Sequence, residues 1–151
     1  MTIDSTPGHA VTKLFRTFLP ALLTATLFCN LGGLSSAAES SHLLDGTSFI
    51  GKNGEQGQDL AEYEDEEIVF QDGMFTSVSC LPYNFGSGPY TARRVDGKIH
   101  FSAVTKSQTH GTITWQGIID GDHAEVTFVW TKKRWYWDTR REYWFNGIRK
   151  Q

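Results

Sequence analysis

The sequence predicts an all-β chain, a small antiparallel up-and-down barrel or half-barrel of about eight strands. Three observations predict it. First, a turn dipeptide recurs as Asp45-Gly46, Asp72-Gly73, Asp96-Gly97, Asp120-Gly121 and, in variant form, Asn146-Gly147. Asp-Gly and Asn-Gly take the positive φ values of the tight turns that suit twisted hairpins. Second, the steps between them, 24 to 27 residues, each hold two strands and two turns. Third, apolar and polar residues alternate between the turns with the period of a half-buried strand. A meander of this length tends to close, and a small closed barrel either fills with side chains or holds one small ligand.

Residues 1–38 stand apart from the meander. Lys13 and Arg16 precede the apolar run Phe18 to Phe28, and small residues follow to Ser36-Ala37-Ala38. This is the order of a secretory signal peptide, with cleavage expected after Ala38. Pro20, Asn30 and Gly32-Gly33 interrupt the run, which argues against a transmembrane anchor. The expected product is a single domain, 39–151, periplasmic or secreted and not membrane-spanning. It keeps one cysteine, Cys80, which is buried, paired with another chain or reactive.

The domain opens with Leu43 to Ile50, read as a first strand. Gly51 to Glu67 is polar and ends in Glu62-Tyr63-Glu64-Asp65-Glu66-Glu67, which reads as the longest loop, solvated and acidic. It lacks the alternating ligands and central glycine of a calcium loop. Three hairpins follow. Ile68–Gln71 turns into Met74–Val78, Tyr90–Val95 into Lys98–Val104, and Thr112–Ile119 into Ala124–Thr131. Ile99, Phe101 and Ala103 share one face, as do Ile113, Trp115 and Ile119, and Val126, Phe128 and Trp130. Gly117 falls where a bulky side chain would otherwise point inward, a mark of close approach. A last hairpin is read from Arg134–Trp137 and Glu142–Asn146, with aromatic residues on both faces and Lys132, Lys133, Arg134, Arg140 and Arg141 between them. Such a surface is either a stacking platform or protein-binding edge, or a barrel wall covered by basic stems.

Charge is divided along the chain. Glu39–Ala92 holds ten acids and one base, and Arg93–Gln151 six acids and eleven bases. In a closed meander these halves attract each other, and a net acidic domain is a poor nucleic-acid binder, so no nucleic acid is expected. Nothing in the sequence resembles an active site. His42, His100, His110 and His123 lack metal-ligand spacing, there is no paired-cysteine site, and no cofactor is expected. The carboxylates sit mostly in turns and the acidic loop, where a turn aspartate caps its own backbone.

Several segments carry a resemblance. Phe49-Ile50-Gly51, Phe75-Thr76-Ser77-Val78-Ser79-Cys80, Tyr83-Asn84-Phe85-Gly86, Pro89-Tyr90, Trp115-Gln116-Gly117 and Tyr143-Trp144-Phe145-Asn146-Gly147 resemble the pattern of a family of small exported proteins with no assigned activity. The resemblance implies an architecture like that of lipocalin- and avidin-type barrels. Ser87-Gly88-Pro89-Tyr90 and Thr105-Lys106-Ser107 are similar to segments of the periplasmic C-type lysozyme inhibitors, although one spacing is a residue short and a glycine is missing. That second resemblance implies that Ser87 and Lys106 would enter an enzyme cleft.

Two functions follow as expectations. The leading one is non-catalytic binding of a small apolar or aromatic molecule. Phe101, Trp115, Phe128 and Trp130 are expected inside the barrel, and Tyr83, Phe85 and Tyr90 at its rim. The other is a protein-interaction module using Ser87, Lys106, Trp135 and Trp137. A carrier needs an interior larger than its side chains fill, whereas an interaction module needs a filled core and exposed aromatics.

Overall fold

The computed structural model describes residues 40–58 and 63–151. The expected signal peptide lies outside them. Eight strands form a closed antiparallel barrel in sequence order: β1 Thr47–Glu55, β2 Glu64–Gln71, β3 Met74–Ser77, β4 Gly88–Val95, β5 Lys98–Ser107, β6 Gly111–Asp120, β7 His123–Lys132 and β8 Thr139–Arg149. The barrel closes where β1 pairs with β8, with Gly51 opposite Gly147. Among the described residues no helix is long and apolar enough to cross a membrane. The strands are apolar inward and largely polar outward, the reverse of a lipid-facing barrel.

The Asp-Gly turns gather at one end, as their spacing predicts. Asp72-Gly73 and Asp96-Gly97 both have two positive φ values, the type I′ pattern. The third hairpin is shifted by one residue. Asp120 pairs with His123, so Gly121 and Asp122 form the turn, and only Gly121 has positive φ. Asn146-Gly147 is no turn at all but lies inside β8.

Three further expectations are corrected. Of the supposed loop Gly51–Glu67, Gly51–Glu55 and Glu64–Glu67 are strand, because Lys52 pairs with Asp65 across the β1–β2 ladder and Glu66 points inward to polar partners. Cross-strand partners here override the weak strand preference of acidic residues. The first strand begins at Thr47, and Leu43–Gly46 instead caps the Asp-Gly end of the barrel. Arg134–Trp137 is a loop rather than a strand. β7 pairs directly with β8 from His123↔Ile148 to Lys132↔Thr139, which leaves only residues 133–138 to connect them.

The cap is built around Tyr90. Its hydroxyl accepts the Leu44 N–H at 2.9 Å and donates to Asp45 Oδ1 at 2.8 Å. Asp45 also accepts the Gly73 N–H and contacts His42 Nδ1 at 2.6 Å. Leu44 is buried, and Ser40 pairs with Ala92 of β4. Burial, reinforced by the bond to Asp45, pushes the Tyr90 phenol up to about 12. Burial also acts to raise the Asp45 carboxyl, but the bonds from His42, Gly73 and Tyr90 outweigh it and hold the group below its ordinary value. The Asp45 contribution to stability is therefore present above the ordinary carboxylate value and lost as pH falls through the depressed one. For Tyr90 the sign is opposite. The unfolded phenol ionises near 10, so stability falls as pH rises from about 10 towards 12. Tyr90→Phe should destabilise the barrel by about 1–3 kcal/mol, because it strands the buried Leu44 N–H. It should also flatten this alkaline limb in a series of urea titrations.

Above the cap the interior is aromatic. Phe70 meets Tyr90 at 5.1 Å and Phe101 at 4.9 Å, Phe75 meets Trp115 at 4.9 Å, and Trp115 stacks on Phe128 at 4.2 Å. Gly117 makes room for this column. A Cβ there would run into the Phe101 ring and stand 3.0 Å from Val126 Cγ2. The acidic and basic parts of the chain meet through Lys150–Glu67 on the outer wall and Arg141–Glu55 at the barrel mouth, both at 2.9 Å. Exposed pairs of this kind contribute little to stability, because water and salt screen them.

Candidate functional site: a cavity at the open end

The end opposite the Asp-Gly turns is where β1 ends and β2 begins, and it carries the longer connections 78–87, 108–110 and 133–138. Beneath them the aromatic filling stops and a cavity of about 390 Å³ begins. That is within the range of small-molecule pockets, about 300–1,000 Å³.

One side of the cavity is aromatic. Phe128 of β7 and Tyr143 of β8 stand opposite each other in the ladder and stack at 5.0 Å with planes 8° apart. Trp130, two residues along the same inward face, is fixed by its indole N–H, which donates to the His110 carbonyl at 2.6 Å. The rim over this wall comes from the β3–β4 connection. A short 3₁₀ turn, Leu81–Tyr83, ends at Asn84 in the left-handed conformation, φ 58°, and the chain then drops Phe85 into the barrel mouth. Ser107 of β5 ties this turn down by donating to the Tyr83 carbonyl at 2.9 Å.

The other side is polar. Asn53 and Glu55 come from β1, Glu64 and Glu66 from β2, and Ser79 and Cys80 from the β3–β4 connection. Glu66 is the centre of this side, with only 4% of its surface exposed. Its carboxylate accepts from the Ser77 hydroxyl at 2.8 Å, the Ser79 N–H at 3.2 Å, the Asn53 amide at 3.3 Å and the Ser79 hydroxyl. The inward-facing alternation of β2 puts it there, since Glu66, Ile68 and Phe70 share one face. No buried side-chain polar atom among the described residues is left without a partner.

Cys80 lines the cavity as a free thiol. Burial pushes it up from its ordinary value, and the neighbouring Glu66 charge pushes the same way. A raised thiol is a poor nucleophile at neutral pH. Cys80 should therefore react with a disulfide reagent at pH 8 at least about tenfold more slowly than an exposed cysteine, on the thiolate fraction and access that govern such rates. A rate equal to that of free glutathione would contradict this environment. Among the described residues no group of three or more His, Cys, Asp or Glu side chains is placed to hold a metal ion.

The expected site residues divide. Tyr83, Phe85, Phe128 and Trp130 line the cavity. Phe101 and Trp115 lie deeper, in the packed aromatic column, and Trp115 reaches the site only through its stack on Phe128. Tyr90 is not at this rim, because β4 is staggered against β3, with Pro89 opposite Met74, which sets Tyr90 beside Gly73 at the capped end. Lys106 and Ser87 are exposed and lie on the outer wall, and continuing the Tyr90↔Ala103 register sets one opposite the other. Trp135 and Trp137 project from the β7–β8 loop with 94% and 63% of their surfaces exposed.

Glu66, Asn53 and Tyr143 are cavity residues that the sequence pattern alone does not single out. Parity with Ile68 and Phe70 marks Glu66 as inward, and parity with Phe145 marks Tyr143. Comparison with known proteins yields no relative: no family model, curated protein or solved structure matches the chain. The closed eight-strand barrel is compatible with lipocalin- and avidin-type architecture.

Proposed function

We propose that this protein binds a small apolar or aromatic molecule in the open-end cavity and performs no chemistry on it. One observation carries the reading. A barrel that packs its capped half with aromatic rings leaves about 390 Å³ unfilled at the other end, walled by the Phe128–Tyr143 stack and Trp130. A core under packing pressure alone would fill that space. The basic, apolar, small-residue order of 1–38 supports an exported, periplasmic or secreted carrier. Native mass spectrometry of protein purified gently from the exported fraction tests it. Extra mass of a few hundred daltons, lost on denaturation, is the expected result. A bare chain that also ignores a panel of apolar dyes and aromatic probes would sink the carrier reading.

A second reading has its own observation. The exposure of Trp135 and Trp137, close to basic Lys132, Lys133 and Arg134, is unusual for a surface without a partner. It favours a protein-interaction module, with Ser87 and Lys106 on the outer wall as the contact set implied by the resemblance to lysozyme inhibitors. Inhibition of a C-type lysozyme that is lost in Lys106→Ala would select this reading.

A further inference from the structure

We infer that the molecule taken by the open-end cavity is a cation, an organic ammonium group joined to a flat apolar body. This rests on the binding function proposed above and names the chemical class of the ligand.

The charge of the lining is one-sided. Glu55, Glu64 and Glu66 line the cavity, and the basic group beside it, Arg141 opposite Trp130 at the mouth, is taken up by Glu55. The three are unequal. Glu55 already bonds Arg141 at 2.9 Å, and Glu64 is exposed. Glu66 is the deep one, and its partners among the described residues, Ser77, Ser79 and Asn53, are all neutral. Neutral donors hold a carboxylate in place but do not cancel its charge. Burying such a group away from water costs stability that an apolar side chain of similar size would not, unless a positive charge joins it. Only one imidazole among the described residues lines the cavity, that of His110, and it is engaged by the Thr109 hydroxyl at 2.9 Å rather than by Glu66.

Two titrating groups in the wall register the same field. Besides burial, the charge of Glu66 raises the Cys80 thiol, and that of Glu55 raises the Tyr143 phenol, where Arg141 opposes it. Opposite these carboxylates stand aromatic rings, whose faces carry the negative end of the ring quadrupole. An ammonium group set between a carboxylate and aromatic faces is attracted from both sides, and each attraction strengthens as water leaves the site. A neutral apolar ligand would use the Phe128, Tyr143 and Trp130 wall but leave Glu66 desolvated without return. An anion would be repelled.

The test compares two probes with the same ring, 1-naphthylmethylammonium and 1-naphthylmethanol, by isothermal titration calorimetry at neutral pH. The ammonium should bind at least about tenfold more tightly. In Glu66→Gln the two affinities should converge. If that variant does not fold, Glu64→Gln should weaken the ammonium alone by roughly threefold, as an exposed charge would. Equal affinities in the natural sequence would overturn the cation inference and leave the cavity reading standing. Binding of neither probe would overturn both.

Discussion

Trp115→Ala is expected to destabilise the barrel by about 3–5 kcal/mol, the usual range for emptying a large aromatic site. That is a large share of the roughly 5–15 kcal/mol available to a domain of this kind. Trp115 is fully buried, stacks on Phe128 at 4.2 Å and leans on Phe75 at 4.9 Å. Its indole N–H donates to the Thr105 hydroxyl at 3.0 Å, and Thr105 is itself buried. The substitution thus removes the ring on which the cavity wall rests and a hydrogen bond beneath it. Trp115→Phe should cost less, because a six-membered ring keeps part of the stack. Urea titrations followed by circular dichroism would measure both. A loss below about 1 kcal/mol for the alanine variant would mean that the column tolerates a gap, contrary to the close packing expected of such cores. The binding site should respond as well. With its floor removed, Phe128 can tip downward, and probes should lose affinity before the protein loses its fold.

Gly51→Val should be at least as damaging, for a different reason. Gly51 faces Gly147 at the β1–β8 closure. A Cβ at Gly51 would collide with the Asn146 carbonyl oxygen and stand 2.5 Å from Gly147 Cα. These are backbone atoms, so no rotamer change relieves the contact. Overpacking usually costs about 1–3 kcal/mol, and a clash with the opposing backbone lies at or beyond the upper end. The expected result is separation of β1 from β8, seen as loss of hydrogen-exchange protection in those two strands ahead of β5 and β6. Gly86→Ala provides the contrast. A Cβ there meets nothing within 4 Å, and the change should stay within about 0.5 kcal/mol. Equal effects at the two positions would refute the steric account of the closure.

The hairpins are legible in the sequence because their signals are local. An Asp-Gly pair and the alternation beside it determine Ile68 to Val78 and Tyr90 to Val104 with no knowledge of the rest of the chain. Gly117 is legible for the same reason, since a side chain missing from the apolar face of an alternating run points directly to a crowded interior. The polar half of the site is not. Glu64–Glu67 has the composition of a solvated loop, and only its partners on β1 and β3 make it a strand. The partners that hold Glu66 inside, Ser77, Ser79 and Asn53, come together only when β1, β2 and β3 pair. Tyr90 misleads in a related way. Its neighbours Pro89 and Gly88 suggest a rim loop, whereas its hydroxyl answers to Leu44 and Asp45 from a segment that precedes the first strand. Trp135–Trp137 alternates like a strand but has no ladder to join once β7 and β8 have paired.

The order of the strands also bears on how the protein reaches this state. Every neighbouring pair but one is adjacent in sequence, so seven ladders can form by short-range zipping. The eighth joins Phe49 to Arg149 and must wait for the two ends of the sheet to meet. Loop-closure entropy makes such a step slow relative to hairpin formation. Until it happens, the open sheet offers two unpaired edges to any other copy in the same condition. The competition between closing on itself and adding to a neighbour is a race between a first-order and a second-order process, and crowding of nascent chains decides which one wins.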